Sequence, residues 1–113
     1  MPIKLINPKR RREVKIEGST FYVTPILAIE LNQIVFSHTN AGKTDWVGVV
    51  NEALKKHLVG WKNVMDDDGK EIDFDPELVP RLPTMVQNRI YEEIVKDTQR
   101  VYEAEKNSTG GQG

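Results

Sequence analysis

The chain has no cysteine, which removes disulfides, thiolate nucleophiles and cysteine zinc sites together. Histidine is nearly as scarce. His38 and His57 are the only two, and neither stands in a constellation that supplies metal-ligand spacing or an acid/base pair. Serine occurs, but never in a glycine-framed nucleophile motif. The apolar runs fall far short of the roughly 20 residues that span a bilayer, and Met1 to Ile6 lacks the apolar centre of a signal peptide. The expectation is a soluble intracellular chain with no membrane role, no cofactor, no metal and no enzymatic activity.

What is present fits one modest domain. A chain of 113 residues with 38% apolar and 29% charged residues has limited material for a core. Its net charge of −1 hides an asymmetry, because residues 1–12 carry Lys4, Lys9, Arg10, Arg11 and Arg12 with no acid. That segment is +5 and leaves −6 for the remainder. The run Lys9-Arg10-Arg11-Arg12 reads as a basic flexible arm that is solvated or makes weak electrostatic contacts. No aromatic side chain is interleaved to stack bases, so nucleic acid is not the expected partner.

Residues 13–106 read as one domain and 107–113 as a disordered tail with too little apolar content to fold. Glu13–Ile16 and Phe21–Thr24 flank a turn in which Gly18 offers positive φ, which predicts a hairpin. Thr24-Pro25 reads as an N-cap followed by proline at the first helical position, opening a helix that ends near Ser37. Ile34-Val35-Phe36 would also suit a buried strand. His38–Lys43 reads as a loop, and Thr44-Asp45 caps a second helix. On that helix Trp46, Val49, Val50, Ala53, Leu54, His57 and Leu58 form one apolar stripe at i, i+3, i+4, i+7, i+8, i+11 and i+12. Trp46 is expected in the core, His57 as a packed and hydrogen-bonded residue, and Gly60 as a left-handed helix terminator.

Trp61–Met65 and Lys70–Phe74 flank Asp66-Asp67-Asp68-Gly69, which predicts a second hairpin. Asp75-Pro76 repeats the capping device, and Pro80 and Pro83 confine the segment after it to a single turn. The longest helix, Thr84 to Lys106, carries a broad apolar face that includes Val86, Ile90, Tyr91, Ile94 and Tyr102. The expected fold class is therefore α+β, mainly α-helical, with three main helices and two short β-hairpins.

Two motifs fail on spacing. Gly42-Lys43-Thr44 looks like the end of a phosphate loop, but the first glycine of that pattern falls on Ser37. The aspartates look like a calcium loop, but its glycine spacing puts Val64 at the first ligand position. Trp61 stands between core anchor and interface residue, since tryptophan serves both roles.

The order of these parts, with Leu58-Val59-Gly60-Trp61-Lys62-Asn63-Val64, then Asp66-Asp67-Asp68-Gly69-Lys70 and Ile72-Asp73-Phe74, resembles the tail assembly chaperones of long-tailed bacteriophages and prophages. The resemblance covers roughly residues 13–95, with residues 58–74 its specific part. It implies a non-enzymatic chaperone of the host bacterial cytoplasm that coats the tape measure protein and helps recruit tail tube subunits. Trp61, Val86, Ile90, Tyr91, Ile94 and Tyr102 are the partner-binding candidates, chosen by amphipathicity, with self-association through the 84–106 helix as a further expectation. The competing readings are a permanent phage particle component, such as a connector or tail-completion protein, and a nucleic-acid-binding regulator acting through Lys9–Arg12.

Overall fold

A computed structural model describes residues 2–110, with side chains through Thr98. Strand β1, Arg12–Ile16, turns at Glu17-Gly18 into β2, Ser19–Val23, in antiparallel register with Val14 opposite Phe21. The predicted first hairpin is thus present. Its positive φ belongs to Glu17, at 54°, and not to Gly18. An extended strap, residues 24–27, leads to helix α1, Ala28–Ser37. A short β3–β4 hairpin, Thr39–Asn40 and Lys43–Thr44, then feeds helix α2, Trp46–His57. Strand β5, Leu58–Lys62, follows α2 without a loop. After an irregular acidic segment come a 3-10 helix, Pro76–Arg81, and helix α3, Thr84–Gly110, which continues past Lys106. Residues 111–113 of the expected tail lie outside the described residues.

Strand β5 pairs antiparallel with β2, so the sheet has three strands in the order β1-β2-β5. This overturns the expected class. The domain is a mixed α/β unit with a three-stranded sheet and four helices among the described residues, not a mainly helical one with three helices and two separate hairpins. The cause lies at residues 58–62. Leu58, Val59 and Trp61 favour an extended backbone, and the free edge of β2 satisfies their peptide groups. Gly60 is consequently a strand residue opposite Tyr22, outside the left-handed region, and a Cβ placed on it would meet only ordinary van der Waals neighbours. The left-handed corner falls at Asn63, φ 61°, whose carbonyl accepts a 2.7 Å hydrogen bond from Ser19 Oγ. With Trp61 committed to β2, the expected second hairpin shrinks to one bridge between Met65 and Glu71.

The start of α1 also differs from expectation. Thr24 does not cap it, because its hydroxyl meets His57 Nδ1 at 3.1 Å and its N–H donates to the His57 carbonyl at 2.9 Å. Ile26 fixes the strap to α3, donating N–H to the Ile94 carbonyl at 3.1 Å and accepting from Thr98 Oγ1 at 2.8 Å. Helix α1 therefore begins after the strap, at Ala28, with Leu27 as an N-cap lacking any side-chain bond. Ile34-Val35-Phe36 is helical.

Other boundaries agree with the sequence. Asp45 caps α2 by accepting from the Gly48 N–H at 3.2 Å, and Asp75 caps the 3-10 helix through the Glu77 N–H at 3.0 Å. The core runs between the sheet and the helices, joining Val14, Phe21 and Trp61 to Val49 and Leu54 of α2 and to Ile90, Ile94 and Val95 of α3. No helix among the described residues is long and apolar enough to cross a membrane.

Candidate functional site

Helix α1 is apolar on both sides, and only one side meets the core. Ile34 is buried and Leu31 and Val35 pack against the core cluster. On the opposite side Ile29, Asn32, Gln33 and Phe36 fall at i, i+3, i+4 and i+7, all exposed. Ile29 is 68% exposed and Phe36 82%. No charge interrupts this stripe. A shallow groove runs along it, bounded by these four residues with Val35 and Thr39.

At the start of α2, Trp46 and Val47 are also exposed, Trp46 at 56%. The expected core position of Trp46 is therefore wrong. As the first residue of α2 it extends beyond the body that α2 packs against, whereas Val49, Ala53 and Leu54 along the same stripe are buried. In sequence, the two apolar groups flank the β3–β4 hairpin, which is tied by hydrogen bonds. Asp45 N–H donates to the His38 carbonyl at 2.8 Å, the Thr39 and Thr44 hydroxyls meet at 2.8 Å, and His38 Nε2 lies 2.8 Å from Glu52 Oε1. Hydrogen bonds from His38 and then Lys56 hold the Glu52 carboxyl below its ordinary range. Large apolar side chains grouped in this way on a folded domain mark an interaction surface more often than scattered single residues do.

The partner-binding residues chosen from the sequence lie elsewhere. Trp61 is 8% exposed, makes edge-on contacts with Phe21 at 6.3 Å and Phe74 at 5.0 Å, and donates from Nε1 to the Ile72 carbonyl at 2.8 Å. It fastens the acidic segment to the sheet. Ile90 and Ile94 are fully buried, and Val86 and Tyr91 are half-buried against the same core. Burial pushes the Tyr91 phenol up. The apolar face of α3 is thus used within the domain, against α2 and the sheet, and in this fold Ile90 and Ile94 present no surface to a partner. The Tyr102 side chain lies outside the described side chains.

The remaining motifs take structural places. Ala41 and Gly42 both have positive φ and make the β3–β4 turn, so Gly42-Lys43-Thr44 is a hairpin corner and not a phosphate loop. Asp66 Oδ1 accepts from the Asp68 and Lys70 N–H groups at 2.9 Å, shaping the acidic turn. Among the described residues no group of three or more His, Asp or Glu side chains is placed to hold a metal. His57 is buried between Thr24 and Glu30, with Nε2 3.0 Å from Glu30 Oε2, the packed and hydrogen-bonded residue that its place on the stripe implied.

Two residues of the basic N-terminal run, Arg11 and Arg12, are also engaged. The Arg11 guanidinium lies 5.2 Å from the Tyr22 ring centre, with Lys62 at 5.8 Å from the same ring. Arg12 pairs with Asp97 at 3.3 Å and donates to the Glu93 carbonyl. The α1 surface does leave a signal in the sequence, since Ile29 and Phe36 are apolar, but helical spacing alone groups them with the core-facing residues of one broad face. No family model, curated protein or solved structure matches the chain.

Proposed function

We propose that this chain is a non-enzymatic tail assembly chaperone of a long-tailed phage or prophage, acting in the host bacterial cytoplasm. Its α1 surface binds amphipathic helical segments of the tape measure protein and keeps them from aggregating until tail tube subunits are recruited. The observation that supports this reading is the uncharged α1 stripe, with Ile29 and Phe36 open to solvent although the domain core is already closed around Ile34. A long helical chain with a continuous apolar seam is aggregation-prone alone, and a helix laid in an apolar groove recognises such seams through i, i+3, i+4 anchors. The resemblance over residues 58–74 supplies the family, and within that stretch Trp61 has a structural task, fixing the acidic segment to the sheet.

Co-expression with a tape measure protein tests the proposal. The two should co-purify, and the tape measure should become more soluble. A permanent particle component would instead persist in purified particles, so mass spectrometry of intact particles should find the chain absent. Recovery of the chain in stoichiometric amounts from particles would replace the chaperone reading with a structural one.

A further inference from the structure

The N-terminal arm displays apolar side chains that its own domain does not cover. Ile3 is 95% exposed and Leu5 94%, on either side of Lys4, and the turn that follows carries Lys9 and Arg10. A matching combination occurs in a cleft of about 340 Å³ beside the acidic turn, where Trp61, Val64, Ile72 and Leu78 are among the lining residues. Its rim holds Asp66, Asp67 and Asp68, against a single cation, Arg81. Asp66 is occupied in shaping the turn, which leaves the exposed Asp67 and Asp68 to face a ligand. Arm and cleft are complementary in charge and in apolar character.

The arm is held away from the cleft of its own molecule. Arg12 is tied to Asp97 and Glu93, and residues from Lys4 to Arg10 lie beside Pro25, Lys96 and Asp97. The cleft borders Leu82 and Pro83, just before α3 begins. At 1.5 Å per residue, Asp97 stands roughly 20 Å along α3 from that point. A turn at Asn7–Arg10 is closed by the Arg10 N–H to the Asn7 carbonyl at 3.1 Å and by the Lys9 N–H to Asn7 Oδ1 at 3.0 Å.

We propose that the arm, residues 2–10, docks in the acidic cleft of a second copy of this chain, with Ile3 and Leu5 against its apolar lining residues and Lys4, Lys9 and Arg10 against Asp67 and Asp68. Reciprocal exchange closes an isologous dimer. This arrangement uses a different surface from the α1 stripe and does not depend on what that stripe binds.

Light scattering on the full chain across a wide concentration range provides the first test. The mass should rise from monomer to dimer, and added salt should weaken the dimer by screening the rim. Ile3→Asp with Leu5→Asp should weaken dimerisation at least about tenfold, as expected for losing one buried leucine contact. Asp67→Lys with Asp68→Lys should do the same while leaving the fold intact, since both side chains are exposed. The absence of native cysteine gives a second test. Mixed Leu5→Cys and Met65→Cys variants should form a disulfide between molecules on oxidation. A monomer at every concentration overturns the proposal, as does a dimer indifferent to both sets of substitutions. Closure of the disulfide within single molecules of the doubly substituted chain, in preference to linkage between them, overturns it too, because the arm would then occupy its own cleft.

Discussion

Replacing Trp61 tests whether this residue fastens the acidic segment or serves as a binding surface. The indole makes two edge-on aromatic contacts and one hydrogen bond to the Ile72 carbonyl. Trp61→Phe keeps a ring but removes the N–H and some volume, which costs about 1 kcal/mol for the hydrogen bond and about 1 kcal/mol for the unfilled space. Trp61→Ala removes the ring as well and should cost about 3–5 kcal/mol, a large share of the roughly 5–15 kcal/mol typical of a small domain. Urea unfolding followed by far-UV circular dichroism measures both, avoiding the fluorescence that the substitutions themselves remove. Fluorescence adds an independent reading in a Trp46→Phe background, where Trp61 alone reports and should emit as a buried indole. Limited proteolysis should show faster cleavage between residues 63 and 74 in Trp61→Phe than in the wild type. A Trp61→Phe protein within about 0.5 kcal/mol of wild type, uncleaved in that segment, would refute the fastening role.

Two substitutions probe the hairpin between α1 and α2. Gly48→Ala should destabilise the domain by about 1 kcal/mol despite alanine's higher helix propensity, because the new Cβ would lie 2.6 Å from His38 Nδ1 and 2.7 Å from Asp45 Oδ2. Thermal unfolding measures this, and a stabilised variant would show that the His38 and Asp45 side chains move aside freely. Glu52→Gln should lower stability at neutral pH by less than about 1 kcal/mol, the scale of solvent-accessible ion pairs. Because the folded carboxyl titrates below its ordinary value, its contribution is present above the unfolded pKa and is lost as pH falls through the folded one. The gap between wild type and Glu52→Gln should therefore close in acid, and a gap that widened there would contradict the assigned cause.

Local chemistry makes much of the fold legible. The Asp45 and Asp75 caps come from side chains acting on neighbouring backbone, and the β1–β2 hairpin and the start of α3 at Thr84 follow residues close in sequence. Long-range pairing is not legible. Reading Gly60 as a helix end, or Thr24 as a cap, assumes that a residue's partner lies nearby in sequence. In the fold, β5 takes its partner from β2, and Thr24 takes His57 from the end of α2. The same limit governs the site. An amphipathic pattern shows that a helix has an apolar face but not which apolar face the domain itself consumes. On α3, Ile90 and Ile94 are consumed, whereas on α1 the Ile29 and Phe36 side is left over.

A helical partner on the Ile29–Phe36 stripe is tested most directly by co-purification of a tape measure protein with the wild type and with Ile29→Asp/Phe36→Asp. Both positions are exposed, so the variant should unfold within about 0.5 kcal/mol of the wild type while losing most of the captured tape measure. Full capture by the stably folded variant would show that the stripe is not the binding surface.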